Sequence, residues 1–362
     1  MKYLSMLIKP ASSSCNLKCK YCFYNDVAAH RDIYNYGVMT EQTVANLVER
    51  TVGYFKEESQ ISFAFQGGEP TCAGLEYFKK FINKVNEYKK EYHHIHYSIQ
   101  TNATLLNEEW IQFFKENNFL VGVSLDGFKE NNDYFRIGNN NEGTYTKIMA
   151  VIQLLRKYGV EYNILTVLTS DLSKYPKKLY EFYKENDFKY IQLIPCLSEF
   201  EKENEYGLEP EEFSKFYIEF FDLWFEELKN NTYRSVALFD NIIPLFVGRP
   251  PMQCGYLGYC SMQFVIEADG SVYPCDFYVL DKYKIGNINE HTIVELVKSD
   301  ITNSFIHEPR SFSKQCDTCS YVKICHGNCK RMIGTYYNDD FCGLREFLGA
   351  REKEIIAIAN EL

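Results

Sequence analysis

Along the first two hundred residues, short runs rich in β-branched and aromatic residues alternate with longer stretches whose apolar residues recur every three or four positions. The runs are YLSMLI (3–8), ISFAF (61–65), IHYSIQ (95–100), LVGVSL (120–125), EYNILTVL (161–168) and YIQLI (190–194). Each has the length and composition of a buried strand. Between them, TEQTVANLVERTVGYF (40–55) and NEEWIQFFKEN (107–117) show the spacing of helices with one apolar face. Strict alternation of strand and helix predicts a parallel sheet, because a parallel return needs a crossover and a helix supplies it. Periodicity does not say whether such a sheet closes. Functional groups in these folds gather where the strands end. Here each strand runs into a loop with polar or glycine punctuation: KPASSSC, QGGEPT, QTNAT, SLDG, TS and PCL.

The rhythm stops after the acidic helical stretch EPEEFSKFYIEFFDLWFEELKNN (209–231), and eight of the thirteen cysteines follow residue 250. Two domains are expected, a strand–helix domain over residues 1–230 and a cysteine-bearing one over 231–362, although RSVALFDNIIPLFVGRPP fits either side of that boundary. With 362 residues, 46% of them hydrophobic, the chain can bury a large core. Its net charge of -10 argues against a nucleic-acid partner, which demands an excess of Lys and Arg. The N-terminal apolar run ends at Lys9 and Pro10, too short for an export signal or a membrane span. Thirteen cysteines without such a signal point to the cytoplasm, a reducing setting where clustered thiols hold metal more often than they pair.

CNLKCKYCFY (15–24) sets Cys15, Cys19 and Cys22 within eight positions. A tetrahedral zinc site needs a fourth ligand, and a disulfide framework needs an even number. A zinc knuckle completed by a distant residue remains open on spacing alone. Three thiolates without a fourth leave a metal position free for chemistry. The spacing, with an aromatic after the last cysteine, resembles the signature of the radical S-adenosylmethionine (SAM) superfamily. That resemblance implies an α/β fold, a partial (β/α)6 TIM-like barrel, and a [4Fe-4S] cluster held by the three thiolates, with SAM on its fourth iron. It further implies SAM contacts from Tyr21, from Gly67, Gly68 and Glu69 in QGGEP, from Ser124 and Arg136 toward the ribose or carboxylate, and from Leu197 over the adenine. Without it, QGGEP is a turn, Arg136 a surface charge and Leu197 ordinary packing.

The later cysteines fall in CGYLGYC, VYPCDFYV, CDTCSYVKICHGNCK and DDFCGLRE. Their order resembles the SPASM extension of peptide-modifying radical SAM enzymes. By that resemblance Cys254, Cys260, Cys275 and Cys329 hold one auxiliary [4Fe-4S] cluster, and Cys316, Cys319, Cys325 and Cys342 hold another. With the first, that makes three clusters and leaves Cys72 and Cys196 unassigned. A pair of zinc ribbons is the alternative that the two-residue spacing leaves open.

Within this subfamily LIKPASS, SFAFQGGEPT and the stretch QFVIEADGSVYPCDFYVLDK are similar to the anaerobic sulfatase-maturating enzymes. The resemblance implies oxidation of an active-site Cys or Ser of a sulfatase, unfolded or nascent, to Cα-formylglycine. It implies a flavodoxin- or ferredoxin-type electron donor and makes Asp276 the base; on sequence alone this aspartate also reads as a turn cap. Two departures stand out. DGFKENNDYFR places Phe128 and Asn132 where relatives carry a proline and a histidine, and SEFEKENEYGLEPEE (198–212) is an acidic insert read as a solvated helix entry. Two other classes stay open: a maturase of a ribosomally made peptide, forming thioether or carbon–carbon links or epimerising, and a non-enzymatic metal scaffold. Only fourteen residues precede Cys15, which leaves no separate peptide-recognition module there and favours maturation.

Overall fold

The computed structural model describes residues 1–201, 205–310 and 312–362, which divide into two contact units. The first comprises Met1–Ser124, Arg136–Tyr162 and Ser261–Ile306; the second comprises Leu125–Phe135, Asn163–Cys260 and His307–Leu362. The units interleave along the chain, so the contacts group residues 261–306 with the N-terminal strands, although the change of sequence character lies near residue 231.

In the first unit β1 (Lys2–Ile8), β2 (Ser59–Phe65), β3 (His93–Thr101) and β4 (Phe119–Ser124) pair in parallel and in chain order. Their inward side chains alternate with half-buried ones, and Met6, Ile8, Ile61, Phe63 and Phe65 are almost wholly buried. Phe65 meets Phe78 and Phe81 at 5.0 Å between ring centroids, edge to face. Three short strands, β8 (Phe264–Ile266), β9 (Ser271–Tyr273) and β10 (Gly286–Asn287), extend the same sheet beside β1. They lie beyond the expected boundary at residue 231, and at two or three residues each they are too short to show a period.

The connecting helices are punctuated as the sequence requires. For α2 (Glu41–Val52), Thr40 Oγ1 accepts the Thr43 amide at 3.2 Å, and the helix stops at Gly53, short of the expected residue 55. For the helix Glu108–Glu116, Asn107 Oδ1 accepts the Trp110 amide at 3.1 Å. β5 (Tyr162–Leu168), which lies in the second unit from Asn163 on, β6 (Tyr190–Pro195) and β7 (Ser235–Val236) are again parallel. The long helix Pro210–Lys229 begins with a proline and a Glu209/Glu212 capping box and buries Phe213, Phe216, Tyr217, Phe220, Phe221 and Trp224 on one face. Phe239 and Phe347 pack against that face. Residues 202–204 of the acidic insert lie outside the described residues.

Candidate active site

The loop after β1 carries Cys15, Cys19 and Cys22 and is held by the segment at Ile137 and Gly138. The Lys18 amide donates to the Ile137 carbonyl at 2.8 Å, and Leu17 forms a bridge with Gly138. Cys22 stands at the N-terminus of α1 (Phe23–Ala29). Cys15 and Cys22 are exposed and Cys19 is half-buried, an unusual display for a residue type that is ordinarily buried. The Leu17 amide and the Asn102 side chain donate to Cys15 Sγ at 3.4 and 3.8 Å. Donors of this kind favour a thiolate ligand.

The loop after β2 lies directly against this one. Gly68 and Glu69 amides donate to the Ser12 and Ser14 carbonyls at 3.0 and 2.8 Å. A Cβ on Gly68 would stand 2.3 Å from the Ser14 oxygen, and Gly67 has φ +136, so both glycines are required by backbone approach and conformation. Glu69 is 1% exposed, and donors converge on both its oxygens: Thr71 N at 3.0 Å, Thr71 Oγ1 at 2.6 Å, Thr101 Oγ1 at 2.7 Å and Asn102 N at 2.7 Å. Burial pushes its carboxyl above the ordinary range, and these hydrogen bonds oppose the shift. Glu69 thus ties the β2 loop to the β3 loop while placing a carboxylate behind the cysteines. Asn102, which sequence reasoning passed over, belongs to the same assembly through a 3.0 Å bond to Asn16.

At the end of β4 the Ser124 hydroxyl accepts from Gln100 Nε2 at 3.0 Å. Arg136 is not a solvated surface charge. It is 6% exposed, and its guanidinium carbon lies 5.7 Å from the Tyr21 ring centroid. Tyr21, Gly67, Gly68, Glu69, Ser124 and Arg136 all belong to the first unit, whereas Leu197, 5% exposed, belongs to the second. In that second unit Phe128 packs edge-on to Tyr175 and carries Lys178 Nζ 3.5 Å above its ring. Asn132 is fully buried and its Oδ1 accepts the Asp126 amide at 3.3 Å, so the side chain at the histidine position closes the SLDG turn.

Asp276 follows Cys275 and opens a short 3-10 turn, Asp276–Tyr278. Its side chain does not cap that turn. Oδ1 lies 2.6 Å from Lys9 Nζ, an ion pair outside ordinary hydrogen-bond angles, while Oδ2 accepts from Gln66 Nε2 at 2.7 Å. Lys9, 1% exposed, lies 3.8 Å from the Tyr24 ring centroid. The Tyr24 hydroxyl donates to Glu267, which also receives Arg31 Nη1 at 2.6 Å, and the Arg31 and Glu267 side chains are fully buried. Burial first, and then the Glu267 carboxylate, push the Tyr24 hydroxyl far above its usual value, so it serves as a donor. None of these five partners was singled out from sequence. The available signal was a charged residue closing an apolar run, in YLSMLIK and again in FVIE.

The second unit holds Cys254, Cys260, Cys316, Cys319, Cys325, Cys329 and Cys342. Cys316, Cys319, Cys325 and Cys342 line one cavity with Tyr321 and Tyr337. Burial, and then the neighbouring Cys342, Cys319 and Cys316, push the Cys325 thiol up to about 11. Cys329 is raised by burial and by Cys254 and Cys260. Cys275 belongs to the first unit. No disulfide joins the thirteen cysteines. Among the described residues none of these sets is drawn tightly enough to share a single ion. The donor chemistry fits iron–sulfur ligation: thiols that raise one another's proton affinity are those whose thiolates a bound cation stabilises. Outside these sets, Cys72 is half-buried with its thiol pushed up to about 11, and Cys196 is buried and pushed up to about 12.

Two family models match the chain: the radical SAM superfamily over residues 10–182, and the SPASM iron–sulfur cluster-binding domain over 254–329. A cysteine-type anaerobic sulfatase-maturating enzyme of Clostridium novyi (strain NT) is 46% identical over 334 residues, 91% of this chain and 89% of that protein. The solved structure of native anSMEcpe with bound AdoMet superposes with a TM-score of 0.91 at 38% identity, covering 99% of this chain and 100% of that one. The same protein with AdoMet and the Cp18Cys peptide gives 0.91 and 38%, covering 99% of each chain. The expected α/β fold of the radical SAM type with a SPASM domain is borne out. The chain belongs to the radical SAM superfamily and, within it, to the anaerobic sulfatase-maturating enzymes.

Proposed function

We infer that this chain is a radical SAM oxidoreductase that oxidises an active-site Cys, or Ser, of a sulfatase to Cα-formylglycine. The observation that carries the reading is the near full-length likeness to a cysteine-type sulfatase-maturating enzyme. The SAM and [4Fe-4S] cofactors supply, when bound, a radical that removes a Cβ hydrogen and an acceptor for the second electron. The rest is the work of side chains. Cys15, Cys19 and Cys22 hold the first cluster, and the loops anchored by Glu69 set the backbone around it. The Asp276 carboxylate takes the proton from the substrate thiol or hydroxyl. Lys9 and Gln66 fix its orientation, one at each carboxylate oxygen. Loss of the hydrogen, the electron and that proton leaves a thioaldehyde, which water converts to the aldehyde with release of hydrogen sulfide; a serine gives the aldehyde directly.

The assignment of Cys254, Cys260, Cys275 and Cys329 to one auxiliary cluster, and of Cys316, Cys319, Cys325 and Cys342 to another, is part of this proposal. So is the division into a barrel over residues 1–230 and a cluster-binding domain over 231–362. A ferredoxin- or flavodoxin-type donor and a cytoplasmic setting complete it. No helix among the described residues is long and apolar enough to cross a membrane. The test is a peptide with a sulfatase-type Cys-x-Pro-x-Arg segment, incubated anaerobically with SAM and a strong reductant. Mass spectrometry should show sulfur and two hydrogens replaced by oxygen. SAM cleavage over an unchanged peptide would send the reading to a ribosomal-peptide maturase instead.

A further inference from the structure

Cys325 and Cys329 are separated by three residues, His326, Gly327 and Asn328, and all three are left-handed, with φ of +48, +74 and +58. Two of them are not glycine, so the loop is strained and must be held by its surroundings. Part of the hold is local. The Asn328 amide donates to the Cys325 carbonyl at 2.7 Å, and Asn328 Oδ1 accepts the Cys329 amide at 2.7 Å. The rest comes from Arg310, whose Nη1 donates to the carbonyls of Asn328 at 2.6 Å and His326 at 3.2 Å. Arg310 is half-buried and pairs with no carboxylate among the described residues; nearby Glu308 is taken by Lys330. A cation here, clamped on the carbonyls of the short loop between Cys325 and Cys329 rather than neutralised by a carboxylate, places its charge beside the segment that joins the two cysteine sets.

We propose that Arg310 positions and electrostatically sets both auxiliary clusters, by clamping the His326–Asn328 loop that joins a ligand of one to a ligand of the other. The inference rests on the assignment of the two cysteine sets to two clusters. A cluster gains one negative charge when it accepts an electron, and an uncompensated guanidinium favours that form, so the charge makes electron acceptance easier.

The test uses the full-length chain with Cys15, Cys19 and Cys22 replaced by Ala, so that only auxiliary iron remains, about eight atoms per chain for two four-iron clusters. Arg310→Gln retains amide donors for the carbonyls without the charge, and Arg310→Lys retains the charge. Iron content and midpoint potentials from an EPR redox titration are the readouts. Arg310→Gln should hold its iron while at least one midpoint moves to a more negative potential, and Arg310→Lys should bring it back. In the chain with its first cluster intact, Arg310→Gln should cleave SAM at the parent rate. Parental midpoints in an iron-replete Arg310→Gln protein overturn the proposal. If Arg310→Gln loses iron, retention by Arg310→Lys supports the charge, and equal loss in both reduces Arg310 to a mechanical clamp and overturns it. A background protein far short of about eight irons fails before Arg310 is touched, which identifies the cluster assignment as the error and the inference falls with it.

Discussion

Lys9 Nζ and Asp276 Oδ1 meet 2.6 Å apart, with the lysine side chain 1% exposed and the aspartate 14%. The pair joins the residue that ends the first strand run to the one that follows Cys275. A buried ammonium over an aromatic face has little water to rely on, so its charge and that of the carboxylate depend on each other. Lys9→Met leaves Asp276 held only by the Gln66 amide. Deoxyadenosine should still form, while formylglycine made per deoxyadenosine falls about a hundredfold, the scale of a misplaced reacting group. Breaking a buried pair also costs about 3–5 kcal/mol of stability, so the melting temperature should drop. A variant that couples the two products as tightly as the parent would remove Lys9 from the reaction.

The three cysteines after β1 make a separate prediction. Anaerobic reconstitution should load about twelve irons per chain, and replacing Cys15, Cys19 and Cys22 by Ala should remove about four of them. Reductive cleavage of SAM should disappear with those four while the rest stay bound. Stoichiometric zinc in place of iron in anaerobically prepared parent protein would end the radical reading.

Strands were legible because each is a short run rich in β-branched and aromatic residues bounded by polar or glycine loops, and the six runs from YLSMLI to YIQLI match strands to within two residues at either end. Cysteine positions were legible because ligand spacing is local. The support of Asp276 was not. Lys9 and Gln66 stand more than two hundred positions before it, and Arg31 and Glu267 are as far apart, so no window of sequence contains a pair. The β8–β10 strands were missed because two or three residues show no period. At Glu69 the sequence suggested a charge beside a ligand, and the geometry adds a knot of four donors that ties two loops together.

That knot can be tested. Glu69→Gln replaces one acceptor oxygen by an NH2 group facing donors, and each buried group left unsatisfied costs about 1–3 kcal/mol. The variant should melt lower and retain SAM less well. The pH dependence has a definite sign. Burial raises the Glu69 carboxyl in the folded chain, so its protonated form favours folding, and the parent loses that share of stability as pH rises through the raised value. The parent's advantage over the glutamine variant, read by calorimetry, should therefore grow as pH is lowered from neutral. An advantage that shrinks on acidification would mean that the hydrogen bonds outweigh burial.

Asp276→Asn separates hydrogen abstraction from proton removal. The amide keeps the size of the side chain but has one acceptor oxygen where the carboxylate has two, and it cannot take a proton from a thiol. Lys9 then faces a neutral group, so iron and melting temperature must be followed in the same preparation, because Cys275 is the adjoining residue. With iron and SAM cleavage at parent levels, formylglycine should fall about a hundred- to ten-thousand-fold, the usual contribution of a positioned base. Deuterium placed on the substrate Cβ should still appear in deoxyadenosine, since abstraction precedes the proton's departure. Combining Asp276→Asn with Lys9→Met removes both charges together and should recover stability lost in either single variant without recovering product. Formylglycine at the parent rate in an iron-replete Asp276→Asn protein would move the base to another group.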